Sequence, residues 1–210
     1  MSILGPLHDR LVVGRRAEIL SAWFSQLAPN GARVLDVGCG DGLLSSLIGS
    51  KRSDLTIRGV DLLVREKTFI PVERFDGQTI PYEDASFDAV LFSDVLHHTD
   101  DPKALLFEGR RVAAKYVLLK DHYRKGIAAG PRLRFMDWTG NARFGVSLPY
   151  NYLTERQWQQ AWEEVGLFPD KLITRLGLYP EPFDRIFGAQ LHFIARLRKE
   201  SGKDSESHRT

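Results

Sequence analysis

The sequence predicts an α/β domain of the doubly wound kind: a mostly parallel sheet covered by helices on both faces, with an antiparallel last strand. Three observations predict it. Arg33-Val34-Leu35-Asp36-Val37 is a short apolar run ending at Gly38, Gly40 and Gly42, and Leu43, Leu44, Leu47 and Ile48 follow at helical spacing, which reads as strand, tight turn and helix start. Further apolar runs at Leu55–Leu62, Phe87–Asp94 and Lys115–Lys120 are separated by helical stretches, the alternation that builds parallel sheets. Polar residues (Asp61, Ser93 with Asp94, Asp121 with His122) stand at the carboxyl ends of those runs, where open α/β sheets bind ligands.

Length and composition bound the rest. At 210 residues the chain is one domain of ordinary size, with a core large enough to be well covered. A net charge of +2 gives no electrostatic case for a nucleic-acid partner, and the clusters Arg15-Arg16 and Arg110-Arg111 are short. The single cysteine excludes an internal disulfide and a cysteine-rich zinc site. There is no apolar run long enough to span a bilayer and no basic-then-apolar leader, so no membrane partner is expected and a cytoplasmic location is.

In chain order, Leu11 to Leu27 places Leu11, Ile19, Leu20, Trp23, Phe24 and Leu27 at a helical period, and Pro29-Asn30-Gly31 ends the helix. Its simplest role is to cover a sheet face. The glycine turn comes next. Glycines reach positive φ cheaply and let a ligand approach the backbone, so a nucleotide-like ligand belongs over it. The spacing is GxGxG rather than the dinucleotide GxGxxG, and Asp36 precedes Gly38 by two residues. A carboxylate there would repel a pyrophosphate and suits a cofactor carrying positive charge. No Gly-Lys-Ser/Thr ending is present, which excludes a phosphate-binding P-loop.

Asp36-Val37-Gly38-Cys39-Gly40-Asp41-Gly42 resembles the first motif of the class I S-adenosylmethionine-dependent methyltransferases, of the small-molecule type. The resemblance covers Ala32 to about Gly109 by motif and the remainder by element order. It implies a Rossmann-like sheet of seven strands, S-adenosylmethionine as cofactor, and methyl transfer to a small-molecule acceptor. It further implies that Gly38 to Gly40, with Asp36 and the Ser93 backbone, hold the methionine end. Cys39 is small enough for the turn and needs no nucleophilic role. A basic residue of the first helix can reach the cofactor carboxylate in such enzymes, which makes Arg15 and Arg16 candidates.

Leu55 to Leu62 is the second strand. Asp61 ends it about 20 residues beyond the glycines, placed to accept from both ribose hydroxyls, with Leu62 beside it. Phe69 to Phe75 is a poor strand interrupted by Pro71. Asp76-Gly77 is a turn signal by itself. Within the resemblance, Asp76 accepts from the adenine amine while Gly77 donates to the ring. Phe87 to Asp94 is a buried strand, and the run Phe87 to Pro102 looks like the fourth-strand signature of the small-molecule methyltransferases. His97-His98 invites a metal reading, but adjacent residues point apart and no carboxylate pair accompanies them, so no metal is expected. His98 matches the family's histidine before Asp-Pro and is a candidate base, or else ties the loop to the backbone.

Lys115 to Lys120 is the fifth strand, entered through Val112-Ala113-Ala114 where the family more often has a lysine-proline-glycine turn. Asp121 and His122 leave its carboxyl end, and His122 is the preferred general base. Residues 123–152 crowd Phe135, Met136, Trp138, Phe144, Tyr150 and Tyr152 with arginines, too long for a plain connection. They read as a lid inserted into a single domain of residues 1–197, or as an extra packing element. Thr154-Glu155-Arg156-Gln157 is a capping box opening a helix that Gly166 closes. Phe168–Leu178 and Gln190–Leu197 suggest a terminal antiparallel pair, and 198–210 a disordered tail. Two other functions stay open: a non-catalytic S-adenosylmethionine-binding module and a nicotinamide-dependent oxidoreductase that would share Asp61.

Overall fold

The computed structural model describes residues 14–126, 128–134, 151–188 and 191–200. Its elements are α1 (Gly14–Leu27), β1 (Arg33–Val37), α2 (Leu43–Lys51), β2 (Thr56–Asp61), β3 (Val72–Arg74), β4 (Phe87–Ser93), a 3₁₀ turn (Leu96–His98), α3 (Pro102–Val112), β5 (Ala113–His122), α4 (Glu155–Glu164), β6 (Leu167–Ile173) and β7 (His192–Lys199). The seven strands form one sheet in the order β3-β2-β1-β4-β5-β7-β6, and only β7 runs against its neighbours. The predicted fold class and the antiparallel last strand are borne out.

The alternation of side chains along each strand divides the core in two. Val34 of β1, Ala89 and Leu91 of β4, Leu118 of β5 and Ile194 of β7 face one way and pack against Leu20, Phe24 and Leu27 of α1 and Ile48 of α2. Leu35, Val37, Val90, Phe92, Val117, Leu119, Phe193 and Ala195 face the other way, beneath Leu105 and Leu106 of α3 and Trp158 and Trp162 of α4. The strands in the middle of the sheet are therefore apolar on both faces, as their continuous runs required. The chain reverses its winding direction between β1 and β4. Val37 pairs with both Val60 and Phe92, so the carboxyl ends of β1, β2 and β4 lie level at that crevice.

Several boundaries differ from the sequence reading, each for a pairing reason. β5 continues through Asp121 and His122, because β7 pairs with it as far as His122 opposite His192. β7 continues to Lys199, two residues into the segment read as a tail; 201–210 lie outside the described residues. β3 is reduced to three residues at the sheet edge, immediately after Pro71. β6 ends at Ile173, and the remaining apolar residues of that run, Leu176 and Leu178, cover the α1 face instead. α3 passes into β5 at Ala113 with no intervening turn. The capping box is present: Gln157 N–H donates to Thr154 Oγ1 at 3.3 Å, and Thr154 N–H to Gln157 Oε1 at 2.9 Å. Most of the expected lid, residues 135–150, lies outside the described residues. None of the helices in the described residues is long and apolar enough to cross a membrane.

Candidate active site

The glycine turn sits at the crevice, and its backbone is strained in the way its sequence permits. Gly38, Gly40 and Gly42 have φ of +71°, +60° and +79°. At Gly38 a Cβ would stand 2.6 Å from Val95 Cγ2, so a side chain is excluded by contact as well as by conformation. Gly40 is different. A Cβ there would meet nothing nearer than Arg65 Nη2 at 3.8 Å, so this glycine turns toward open space, the face a ligand needs.

The turn's amides are largely spent inside the protein. Gly38 and Cys39 N–H both donate to Val60 O, at 2.8 and 3.3 Å, and Leu43 N–H donates to Asp41 Oδ1. Cys39 Sγ packs on Gly59 of β2, and burial raises its thiol pKa far above the ordinary value, so it is an inert packing group. Gly40 N–H donates to Asp61 Oδ2 at 2.8 Å, and Leu63 N–H to Asp61 Oδ1 at 3.0 Å. The acid at the end of β2 is thus tied to the glycine turn, and each oxygen keeps lone-pair capacity for a further donor.

Asp36 does not reach the ligand face. It shares its side of β1 with Val34, is buried, and accepts from Ser45 Oγ of α2 at 2.7 Å. Burial raises its pKa to about 7, against the help of that bond. Beside the turn, Leu62, Arg74, Phe75, Asp76, Thr79 and Pro81 line a shallow cleft of about 530 Å³. Asp76 Oδ1 accepts from Gln78 and Thr79 N–H at 2.8 and 2.7 Å, which fixes its carboxylate at the cleft. Gly77, at φ +83°, lies against Leu62. The cleft is partly apolar, with Asp76 in its wall and Leu62, the neighbour of Asp61, on its lining.

At the other side of the turn lies a buried polar cluster that the sequence reading grasped only in part. Asp94 follows β4 in the left-handed region, φ +60°, which aspartate adopts more readily than most side chains. Its carboxylate meets Lys120 Nζ, and Arg16 Nη2 at 2.5 Å. Arg16 also reaches Tyr179 Oη at 3.4 Å. α1 therefore both covers the sheet and sends one of the two candidate arginines into the site, where it holds Asp94. Burial opposes the charge on Asp94, but Arg16 and Lys120 prevail and hold its pKa well below the carboxylate range. Burial, with Arg16 nearby, lowers Lys120 to about 8.

Of the adjacent histidines, His97 is the one turned inward. It is 1% exposed, and its Nδ1 lies 2.7 Å from Asp121 Oδ1; the His98 ring lies 4.1 Å from it, tilted by 45°, so the neighbouring rings do not point apart as the sequence reading expected. His122 packs edge-on to His97 at 4.8 Å and touches His192 at 4.7 Å. Its Nδ1 is buried without a hydrogen-bond partner, 3.4 Å from Asp121 Oδ1 and 3.6 Å from Asp94 Oδ1. Burial and Lys120 lower the His122 pKa to about 3, so it is neutral. Tyr152 closes the group, 5.2 Å from His97 and 5.7 Å from His122. Asn151 N–H donates to His97 O at 3.1 Å, and its side-chain amide to Thr99 O at 2.7 Å. The far end of the segment read as a lid is pinned onto this cluster.

The structure thus brings Asp61, Leu62, Asp76 and Gly77 together beside the glycine turn, and sets His98 and His122 each against His97 beyond Ser93. Asp36 and Cys39 lie beneath the turn. His97, Lys120 and Arg16 join a cluster that spacing along the chain could not assemble, because they meet only when β4, β5 and α1 do. The nearest available signal was the sheet itself: Ser93 pairs with Lys120, so the loop leaving β4 must meet the end of β5.

Comparison with known proteins agrees with this geometry. Residues 12–171 match the model of the Methyltransf_23 family, described as a methyltransferase domain. A ubiquinone biosynthesis O-methyltransferase of Xanthomonas axonopodis pv. citri is 38% identical over 113 residues, 48% of this chain and 44% of that protein. The chain thus spans less than half the length of that relative. Among solved structures, an S-adenosylmethionine-dependent methyltransferase from Aquifex aeolicus superposes with a TM-score of 0.61 at 18% identity, over 91% of this chain and 96% of its own. The [4+2]-cyclase SpnF superposes with a TM-score of 0.63 at 15% identity, over 88% and 81%. At such identities the likeness is one of fold. With the family model spanning most of the sequence, and the glycine turn tied to Asp61 beside a shallow cleft, the chain belongs to the methyltransferase-domain family, class I in fold, for which S-adenosylmethionine is the implied cofactor.

Proposed function

We propose that this chain transfers the methyl group of S-adenosylmethionine to the hydroxyl oxygen of a small acceptor. The observation that carries the reading is the tie between Gly40 N–H and Asp61, which joins the glycine turn to a cleft on one side and leaves the Asp94–His97–His122 cluster on the other. Asp61 holds the ribose hydroxyls, and Asp76 with Gly77 holds the adenine. Gly38 to Gly40 and the Ser93 backbone receive the methionine end, with Asp36 and Cys39 supporting the turn from below. When bound, the cofactor supplies a sulfonium methyl open to in-line displacement. The chain's own task is alignment, which can account for much of the barrier.

The acceptor sits at the histidine cluster, beside Tyr152. An oxygen acceptor is supported by the name of the O-methyltransferase relative and by what surrounds His122. A hydroxyl must lose its proton as it attacks; burial and Lys120 weaken His122 as a base, and the Asp121 and Asp94 carboxylates within 3.6 Å of its Nδ1 oppose that effect and would favour its protonated form. His98, its ring tilted against His97, is the second catalytic candidate. The test is incubation with S-adenosylmethionine and a panel of hydroxylated aromatic acceptors, following S-adenosylhomocysteine by mass spectrometry. His122→Ala should reduce turnover by roughly 10²–10⁴-fold with cofactor affinity retained.

A second reading rests on the shared fold of SpnF: a domain of this shape can serve chemistry other than methyl transfer. Tight cofactor binding with no S-adenosylhomocysteine formed on any acceptor would favour it.

A further inference from the structure

We infer that Asp94, His97 and His122 form a binding site for one divalent transition-metal ion of the Zn²⁺ type, on the acceptor side of the cofactor cleft. The inference rests on the reading of this cluster as the acceptor side, and adds how His122 acts there. His98 lies outside the set of side chains whose ligand atoms converge. The fold supplies what the His97-His98 pair lacks: a carboxylate from the loop after β4 and a second imidazole from the end of β5. One ligand atom from each of Asp94, His97 and His122 lies within 4.8 Å of the others. Bonds of about 2.0–2.2 Å to a tetrahedral ion place donor atoms roughly 3.3–3.6 Å apart, so small side-chain rotations close the set.

Two further features of the cluster point to an ion. His122 Nδ1 is buried with no hydrogen-bond partner although carboxylate oxygens of Asp94 and Asp121 lie 3.6 and 3.4 Å away. A buried nitrogen in that state loses the energy of a bond it could make in water, and an ion restores it. His97 is held through Nδ1 by Asp121 Oδ1 at 2.7 Å, the carboxylate–histidine arrangement that orients metal-ligating imidazoles. Two nitrogens and one carboxylate oxygen suit zinc, cobalt and manganese better than calcium or magnesium. An open fourth position would take the acceptor's oxygen and acidify its hydroxyl, so His122 works through the ion rather than as a free base.

Lys120 is the competitor. Its Nζ already pairs with Asp94 Oδ1, while Arg16 takes Oδ2. An entering ion and the ammonium contend for the same oxygen, so Lys120→Met should tighten ion binding, an effect that a purely structural ion network would not produce.

The experiment uses the full chain, stripped with EDTA and titrated with Zn²⁺ by calorimetry and with Co²⁺ by its visible d–d absorption, with S-adenosylhomocysteine binding as the check on folding. The expected result is one ion per chain. His122→Ala and Asp94→Asn should abolish it, with Asp121→Asn weakening it roughly 10–100-fold and cofactor binding kept in each. His122→Gln replaces His122→Ala if the latter fails to bind cofactor. Absence of stoichiometric binding in a chain that still binds S-adenosylhomocysteine overturns the metal site alone and leaves His122 as a free base. Binding that survives in His122→Ala or His122→Gln overturns it equally. Loss of S-adenosylhomocysteine binding by the unaltered chain overturns the function proposed above.

Discussion

Asp36 and Asp61 are two carboxylates with opposite tasks, separated by the thickness of one glycine turn. Asp61 carries Gly40 and Leu63 N–H and is the proposed ribose ligand, so its loss should be felt in binding. Asp61→Ala should weaken S-adenosylhomocysteine about 10- to 100-fold by titration calorimetry, the size of a charge-assisted hydrogen bond or two. Unchanged affinity would refute the ribose role. Asp36 is buried on Ser45, with its pKa raised to about 7 from an ordinary value near 3.8. A raised acid binds its proton more tightly when folded, so its favourable contribution is complete below about pH 4 and is lost as the pH rises through 7. Asp36→Asn should therefore gain stability relative to the natural chain between pH 5 and 8. The difference, by urea unfolding, should be on the order of a few kcal/mol. A pH-independent difference would mean Asp36 is charged in its niche. Both acids were legible in the sequence because they flank glycines at fixed offsets. Which of them meets the ligand was not, since that depends on which face of β1 a residue occupies.

At the scale of elements, α1 and the segment ending at Tyr152 do more than cover the sheet. α1 reads in the sequence as an amphipathic cover, and its apolar side does pack on β1 and β4. Its first turn also delivers Arg16 to Asp94, a contact no periodicity reveals because it spans 78 residues. Arg16→Met should leave Asp94 with Lys120 as its remaining ion-pair partner and free its carboxylate to move. Turnover should fall while S-adenosylhomocysteine affinity changes little, which parallel kinetics and calorimetry would separate. Asn151 and Tyr152 anchor the end of the proposed lid on the histidine cluster. Tyr152→Ala should raise the acceptor KM and leave cofactor affinity intact; equal loss of both would make the segment a packing element. The α4 cap was fully legible, since Thr154 and Gln157 are local partners, and Thr154→Ala should lower stability by about 1 kcal/mol in urea unfolding.

For the whole molecule, the mostly parallel sheet follows from the alternation of strands and helices that the sequence displays, whereas the count of seven strands came from the resemblance. The glycine turn and Asp61 were legible as strand ends, and the role given to Asp76 and Gly77 came from the resemblance. The acceptor half was not legible. His122 was found by its place after β5, but His97, Lys120 and Arg16 gain their meaning only from contacts between elements far apart in sequence. The central claim is that an adenosyl sulfonium binds between Asp61 and Asp76 with its methyl aimed at the Asp94–His97–His122 cluster. A crystal structure of the chain with S-adenosylhomocysteine tests it most directly. The account predicts the ribose on Asp61, the adenine beside Asp76 and Gly77, and the sulfur opening toward His122. A nucleoside bound elsewhere, or a sulfur turned away from the histidines, would contradict it.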